Sequence, residues 1–137
     1  MTVDPADASE PMLRVTALDH VVLVVRDVEA SVAWYRDVLG MPVEQLEQWR
    51  SGERPFPSVR VDPGTMLDLV AGEPDGTNMD HLALVVDGVS LEELAAAPPE
   101  GVSVLGPPRR LSGARGVGTA LYLSDPDGHT IELRTYP

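Results

Sequence analysis

The chain has 137 residues, 43% hydrophobic and 23% charged, enough for one compact domain or two very small modules sharing a core. Its 22 acidic and 10 basic residues leave a net charge of −12 with no basic run, which excludes a nucleic-acid or anionic-membrane surface. It holds no cysteine, so disulfide and thiolate chemistry are excluded.

Residues 1–12, polar, acidic and carrying two prolines, read as a flexible tail. They lack the basic start and apolar core of a signal peptide, and no apolar run in the chain approaches the ~20 residues of a membrane span. The expected location is cytoplasmic. Leu18 to Val25, "LDHVVLVV", reads as a mostly buried strand. Asp27 offers a helix N-cap, and Val28, Val32, Tyr35 and Leu39 form one amphipathic stripe that Gly40 and Pro42 end. Three strands are expected next: Val43 to Trp49, Pro57 to Asp62 and Thr65 to Ala71, the last two joined by an Asp62-Pro63-Gly64 turn. Residues 73–78 read as a linker.

The order then restarts. Met79 to Val86, "MDHLALVV", is a strand, Ser90 to Glu93 is a capping box, and Pro98-Pro99 stops the short helix it opens. Val102 to Leu105 is a strand and Gly106 to Gly116 a loop rich in Pro, Arg and Gly. Gly118 to Ser124 and His129 to Tyr136 are strands joined by an Asp125-Pro126-Asp127-Gly128 turn. "LDHVVLVV" aligns with "MDHLALVV", which places His20 over His81; "MLDLV" aligns with "TIELR", which places Asp68 over Glu132. The reading is α+β, with two tandem βαβββ modules at 13–72 and 79–137 forming one globular domain.

Strand parity gives these four residues a common face. Val21, Leu23 and Val25 oppose His20; Leu82, Leu84 and Val86 oppose His81. Leu67 and Leu69 oppose Asp68, and Ile131 and Leu133 oppose Glu132. A single histidine in an apolar strand is ordinarily packed or hydrogen-bonded, and a single acid ordinarily faces solvent. The repeat shifts that balance: two histidines and two carboxylates on one concave face suit a first-row transition metal. Asp68, one carbon shorter than Glu132, is the weakest of the four, and His20, His81 and Glu132 alone make the minimal set. His129 has the opposite parity and reads as a turn or edge residue. Arg109, Arg110 and Arg115 read as solvated loop charge.

The stretches "LDHVVLVVRDVEASVAWYRDVLGMPV", "MLDLV", "MDHLALVV" and "ALYLSDPDGHTIELR" resemble the vicinal oxygen chelate superfamily, which includes glyoxalase I, bleomycin-resistance proteins, methylmalonyl-CoA epimerase and extradiol dioxygenases. The resemblance spans Leu18 to Arg134. It implies paired βαβββ modules whose curved mixed sheets enclose a metal cleft. It implies metal ligation by His20, His81 and Glu132, with Asp68 where some members carry a fourth-strand Glu or Gln. It also implies a substrate-facing tyrosine at Tyr122, and parity agrees. The cofactor implied is a divalent ion such as Ni, Co, Mn, Zn or Fe. The activity implied is a lyase or isomerase of glyoxalase or epimerase type, in which Glu132 or Asp68 moves a proton beside a carbonyl. The alternatives are an Fe(II) extradiol dioxygenase and a metal-free antibiotic-binding protein. Val24 stands where glutathione-specific members carry an Arg, so the substrate is read as a small carbonyl or oxo-acid. Short members of this kind are often homodimers, and that assembly is expected.

Overall fold

The computed structural model describes residues 11–76, 78–125 and 128–137, so all but the end of the predicted tail lies outside the described residues. The first half runs β1 (Arg14–Val25), α1 (Val28–Asp37), β2 (Val43–Glu44), α2 (Leu46–Arg50), β3 (Ser58–Asp62) and β4 (Thr65–Ala71). The second runs β5 (Met79–Asp87), α3 (Leu91–Ala96), β6 (Ser103–Val104), β7 (Arg109–Gly113), β8 (Gly116–Ser124) and β9 (Thr130–Thr135). The strands make one unclosed curved sheet in the order β2-β3-β4-β1-β5-β9-β8-β6, with β7 paired to β8. β1 and β5 run antiparallel at its centre, and each has a parallel neighbour, β4 and β9 respectively. The expected α+β reading therefore holds.

Each half buries its own aliphatic face. Leu69 and Val59 pack with Val28 and Val32 of α1, joined by Leu23, Val25 and Leu67. Leu133, Leu121 and Val86 pack with Leu91 and Leu94 of α3, joined by Ile131 and Leu123. These are the sets that alternation assigns away from the histidines and acids. Both helix starts follow the expected caps. The Asp27 carboxylate accepts the Ala30 N–H at 2.9 Å, and the Ser90 hydroxyl accepts the Glu93 N–H at 3.2 Å. α1 ends at Asp37, so Leu39, expected on its apolar stripe, is instead exposed beyond the C-cap.

Two expectations are corrected. The strand expected from Val43 to Trp49 stops at Glu44, because Gln45 adopts a left-handed φ of 65° that ends an extended run. Leu46 to Arg50 then forms a helical turn whose Leu46 and Trp49, three apart, meet the first core, while Arg50 pairs outward with Glu29 and Glu47. The loop expected from Gly106 to Gly116 contains β7, which folds back on β8 from Arg109↔Ala120 to Gly113↔Gly116. Gly116, at φ 103°, closes the hairpin. Of the turn expected at residues 125–128, Pro126 and Asp127 lie outside the described residues; Gly128 N–H donates to the Asp125 carbonyl at 3.0 Å.

Candidate metal centre

Register brings the four repeated residues together. Ala83 of β5 lies between His20 on β1 and Glu132 on β9. Val22 of β1 lies between His81 on β5 and Asp68 on β4. All four line one cleft of about 300 Å³, with Tyr122, Met66 and Leu111. Three of them converge: one ligand atom each from His20, His81 and Glu132 lies within 4.8 Å of the others. Glu132 Oε1 is 3.0 Å from His81 Nε2 and 3.4 Å from His20 Nε2, and the two Nε2 atoms are 3.3 Å apart.

The other ring nitrogens decide what these contacts mean. His20 Nδ1 lies 2.7 Å from Asp19 Oδ2, and His81 Nδ1 lies 2.7 Å from Asp80 Oδ2. A carboxylate can only accept, so each Nδ1 carries the proton and a neutral ring turns the Nε2 lone pair into the cleft. Two lone pairs and a carboxylate oxygen then converge with no donor among them, a set that calls for a cation. In the metal-free protein a proton serves. Burial opposes charge on His20, but the Asp19 and Glu132 carboxylates outweigh it and push its pKa up to about 9. Burial likewise opposes charge on His81, and the carboxylates of Glu132 and Asp80 raise it.

Asp19 and Asp80 were not among the residues expected here. Each is the extra residue of a β-bulge: the β1–β5 register steps from Leu18↔Leu84 to His20↔Ala83, and from Val22↔His81 to Leu23↔Met79. Strict alternation would send each Asp to the face opposite its His; the bulge is what departs from it. The signal was present as the dipeptide Asp-His at the same place in both repeats. Asp19 is wholly buried and also accepts from the Ala114 N–H at 3.0 Å and the Tyr136 hydroxyl at 2.6 Å. Burial opposes its ionisation, but these bonds and that from His20 hold it below the usual carboxylate range.

Arg134 was also missed. Two residues beyond Glu132 on one strand, it shares the site's face, and it has no exposed surface. Its Nη1 donates to Glu132 Oε2 at 2.6 Å, its Nη2 to the Leu111 carbonyl at 2.8 Å, and its Nε to the Tyr136 hydroxyl at 3.0 Å. It thus grips the oxygen of Glu132 that faces away from the histidines. Burial opposes ionisation of Glu132, yet bonds from His20, His81 and Arg134 hold it far below the carboxylate range.

Asp68 stands apart from the trio. Its Oδ2 is 3.9 Å from His20 Nε2, and its Oδ1 accepts from the Ser58 hydroxyl at 2.6 Å. Burial raises its pKa, against the opposing Ser58 bond and the charge on His20. Tyr122 lies opposite Glu132 in register, its ring 5.5 Å from that of His81. Burial and the neighbouring Glu132 charge push its phenol upward. His129 is exposed and bound to Asp125 at 2.8 Å, away from the trio as expected. Arg109 reaches the cleft from β7, whereas Arg115 lies over the Tyr136 ring.

Among the described residues no helix is long and apolar enough to cross a membrane. A glyoxalase domain-containing protein of Mycosarcoma maydis is 28% identical to the chain over 127 residues, covering 90% of this chain and 70% of that protein. The crystal structure of methylmalonyl-CoA epimerase from Mycobacterium tuberculosis matches with a TM-score of 0.63 at 21% identity, covering 96% of this chain and 95% of the other, a likeness of fold. The Mn(II)-bound glyoxalase from Novosphingobium aromaticivorans matches with a TM-score of 0.65 at 26% identity, over 90% of this chain and 40% of that one. A sequence model of the Glyoxalase/Bleomycin resistance protein/Dioxygenase superfamily matches residues 17–133, and the chain belongs to that superfamily.

Proposed function

We propose that the chain is a metal-dependent lyase or isomerase that moves a proton next to a carbonyl of a small substrate. One observation carries this reading: His20 Nε2, His81 Nε2 and Glu132 Oε1 converge within 4.8 Å while both Nδ1 atoms are committed to aspartates. The likeness to an Mn(II)-bound glyoxalase supports a divalent ion of the Mn, Ni, Co or Zn kind. Such an ion, when bound, polarises a carbonyl oxygen and stabilises negative charge developing there.

The chain's own residues divide the remaining work. His20, His81 and Glu132 hold the ion. Glu132, pinned by Arg134 and kept ionised, suits ligation better than proton transfer. Asp68, buried beside the trio with a raised pKa, is suited to accept a proton from the carbon next to the carbonyl and return it. Ser58 orients its carboxyl from the neighbouring strand. Tyr122 bounds the cleft beside Glu132, where its hydroxyl can meet a substrate oxygen.

Elemental analysis and metal titration of protein purified without an affinity tag test the ion. Solvent deuterium exchange α to the carbonyl of small 2-oxo acids and thioesters, under Mn, Ni or Co, tests the chemistry. Failure to take up any divalent metal overturns the proposal. Oxygen uptake with catechols under Fe(II), without deuterium exchange, replaces it with a dioxygenase.

A further inference from the structure

The cleft holds two cations that the metal chemistry leaves unused. Arg54, between α2 and β3, and Arg109, the first residue of β7, line the same cleft as His20, His81 and Glu132. Of the other eight arginines, Arg26, Arg36, Arg50, Arg60 and Arg134 each pair with a carboxylate, while Arg14, Arg110 and Arg115, which do not line this cleft, pair with none among the described residues. Among the described residues Arg54 and Arg109 pair with none, although acidic residues outnumber basic ones by 22 to 10.

Arg54 is also held in place without being satisfied. Its guanidinium lies 5.7 Å from the Phe56 ring centroid, and its Nη1 donates to the Ser112 hydroxyl at 3.1 Å. Its Nε is buried with no hydrogen-bond partner among the described residues. A buried N–H without an acceptor is a cost that a bound acceptor removes. Arginine packed against an aromatic face and tethered through Nη1 by a neutral hydroxyl keeps its remaining Nη hydrogens for a planar carboxylate. Asp68, whose charge Arg54 reaches, does not take that place: no ion pair joins the two among the described residues, and Asp68 Oδ1 accepts from Ser58.

We infer that the substrate carries a carboxylate separate from the oxygens that meet the metal, and that Arg54 and Arg109 bind it across the apolar wall formed by Phe56 and Leu111. The inference rests on the metal reading above and narrows its substrate to a small acid. Arg54 selects the acid by geometry; Arg109, exposed at the rim, adds charge.

The test uses metal-saturated full-length protein and chelating probes of matched length. The monohydroxamates of succinic, glutaric and adipic acids are titrated calorimetrically beside their methyl esters. The hydroxamate group engages the metal in every probe, and only the free acids carry the distal carboxylate. At least one acid is expected to bind about tenfold more tightly than its ester, against the repulsion of a net charge of −12. Arg54→Met should erase that difference by costing the acid far more affinity than its ester. Arg109→Met, at an exposed position where folding is not at stake, should reduce it several-fold. Equal or weaker binding of every acid in the unmutated protein overturns the inference while the metal reading stands. Binding of no hydroxamate, together with no metal uptake, overturns both.

Discussion

The two halves of the sheet present the same parts at the same registers, and four substitutions between them separate two roles. On the β5–β9 side the acid is Glu132, and Ala83 lies between it and His20. On the β4–β1 side the acid is Asp68, and Val22 lies between it and His81. Strands are about 4.8 Å apart, so an acid must reach across two spacings to meet the histidine beyond its neighbour. Glu132, longer and passing over a methyl group, comes within 3.4 Å of His20. Asp68, shorter and facing an isopropyl group, forms no ion pair with His81 among the described residues and stays 3.9 Å from His20. The residue two places on is Arg134 in one half and Val70 in the other, and the cross-strand hydroxyl is Tyr122 in one and Ser58 in the other. One acid is therefore held ionised and the other has its pKa raised. A repeat thus supplies matching positions, and side-chain length with the bulk in between accounts for how closely each acid approaches the histidine two strands away.

The sharpest way to break this comparison is to neutralise each acid in turn. Glu132→Ala should lower metal affinity by more than the ~100-fold that loss of an outer partner costs, because on the proposed ligation it removes a side chain that holds the ion. Asp68→Asn should change affinity by about threefold or less yet abolish deuterium exchange. Equal losses of metal from the two variants would place Asp68 in the ligand set. Next in size is Arg134→Met, which leaves the Glu132 and Asp19 carboxylates without their shared buried cation. It should cost about 3–5 kcal/mol of stability, seen as a fall of about 10–20 °C in the melting temperature. Val70→Met at the equivalent half-buried place should cost under about 1 kcal/mol. Similar melting temperatures for the two variants would remove Arg134 from its structural role.

Much of this was legible in the sequence because the aliphatic face of each strand alternates cleanly. Leu67 and Leu69 around Asp68, and Ile131 and Leu133 around Glu132, fix which way each acid points, and the repeat marks the two histidines and two acids as equivalent places. Three things were hidden. Asp19 and Asp80 lie at bulges, where alternation fails by construction. Arg134 looks like an ordinary exposed strand-end charge until the burial of β9 is known. β7 is the third: "RRLSG" lacks the apolar run of a core strand, and only pairing with β8 extends it and brings Arg109 into the cleft.

A smaller effect follows from pH. In the metal-free protein the pKa of His20, about 9, lies above its ordinary value of 6.5, so protonation favours the folded state. That contribution is complete below about pH 6.5 and is lost as pH rises through about 9. Metal needs the bare Nε2, so its affinity should climb over the same window by about tenfold per pH unit for each proton displaced. Thermal melts with chelator and with saturating metal at pH 6, 7.5 and 9 should diverge steadily. A gap independent of pH would exclude proton displacement at His20.

The smallest expected effect is the most direct test of reach. Asp68→Glu alone lengthens the acid but leaves Val22 beneath it; adding Val22→Ala recreates the Glu132 and Ala83 pairing in the first half. Val22 is buried, so the second change costs about 2 kcal/mol of stability without metal. If length and intervening bulk are what hold Asp68 off, the double variant should bind metal about tenfold more tightly than the unmutated protein, while Asp68→Glu alone gains little. It should also lose deuterium exchange, because an acid drawn onto the ion no longer serves as the base. The reciprocal change, Ala83→Val, should weaken metal binding by crowding the path of Glu132. A double variant with unchanged affinity would mean that Ser58, whose hydroxyl binds Asp68 directly, holds the acid away instead; Ser58→Ala in the same background would then release it.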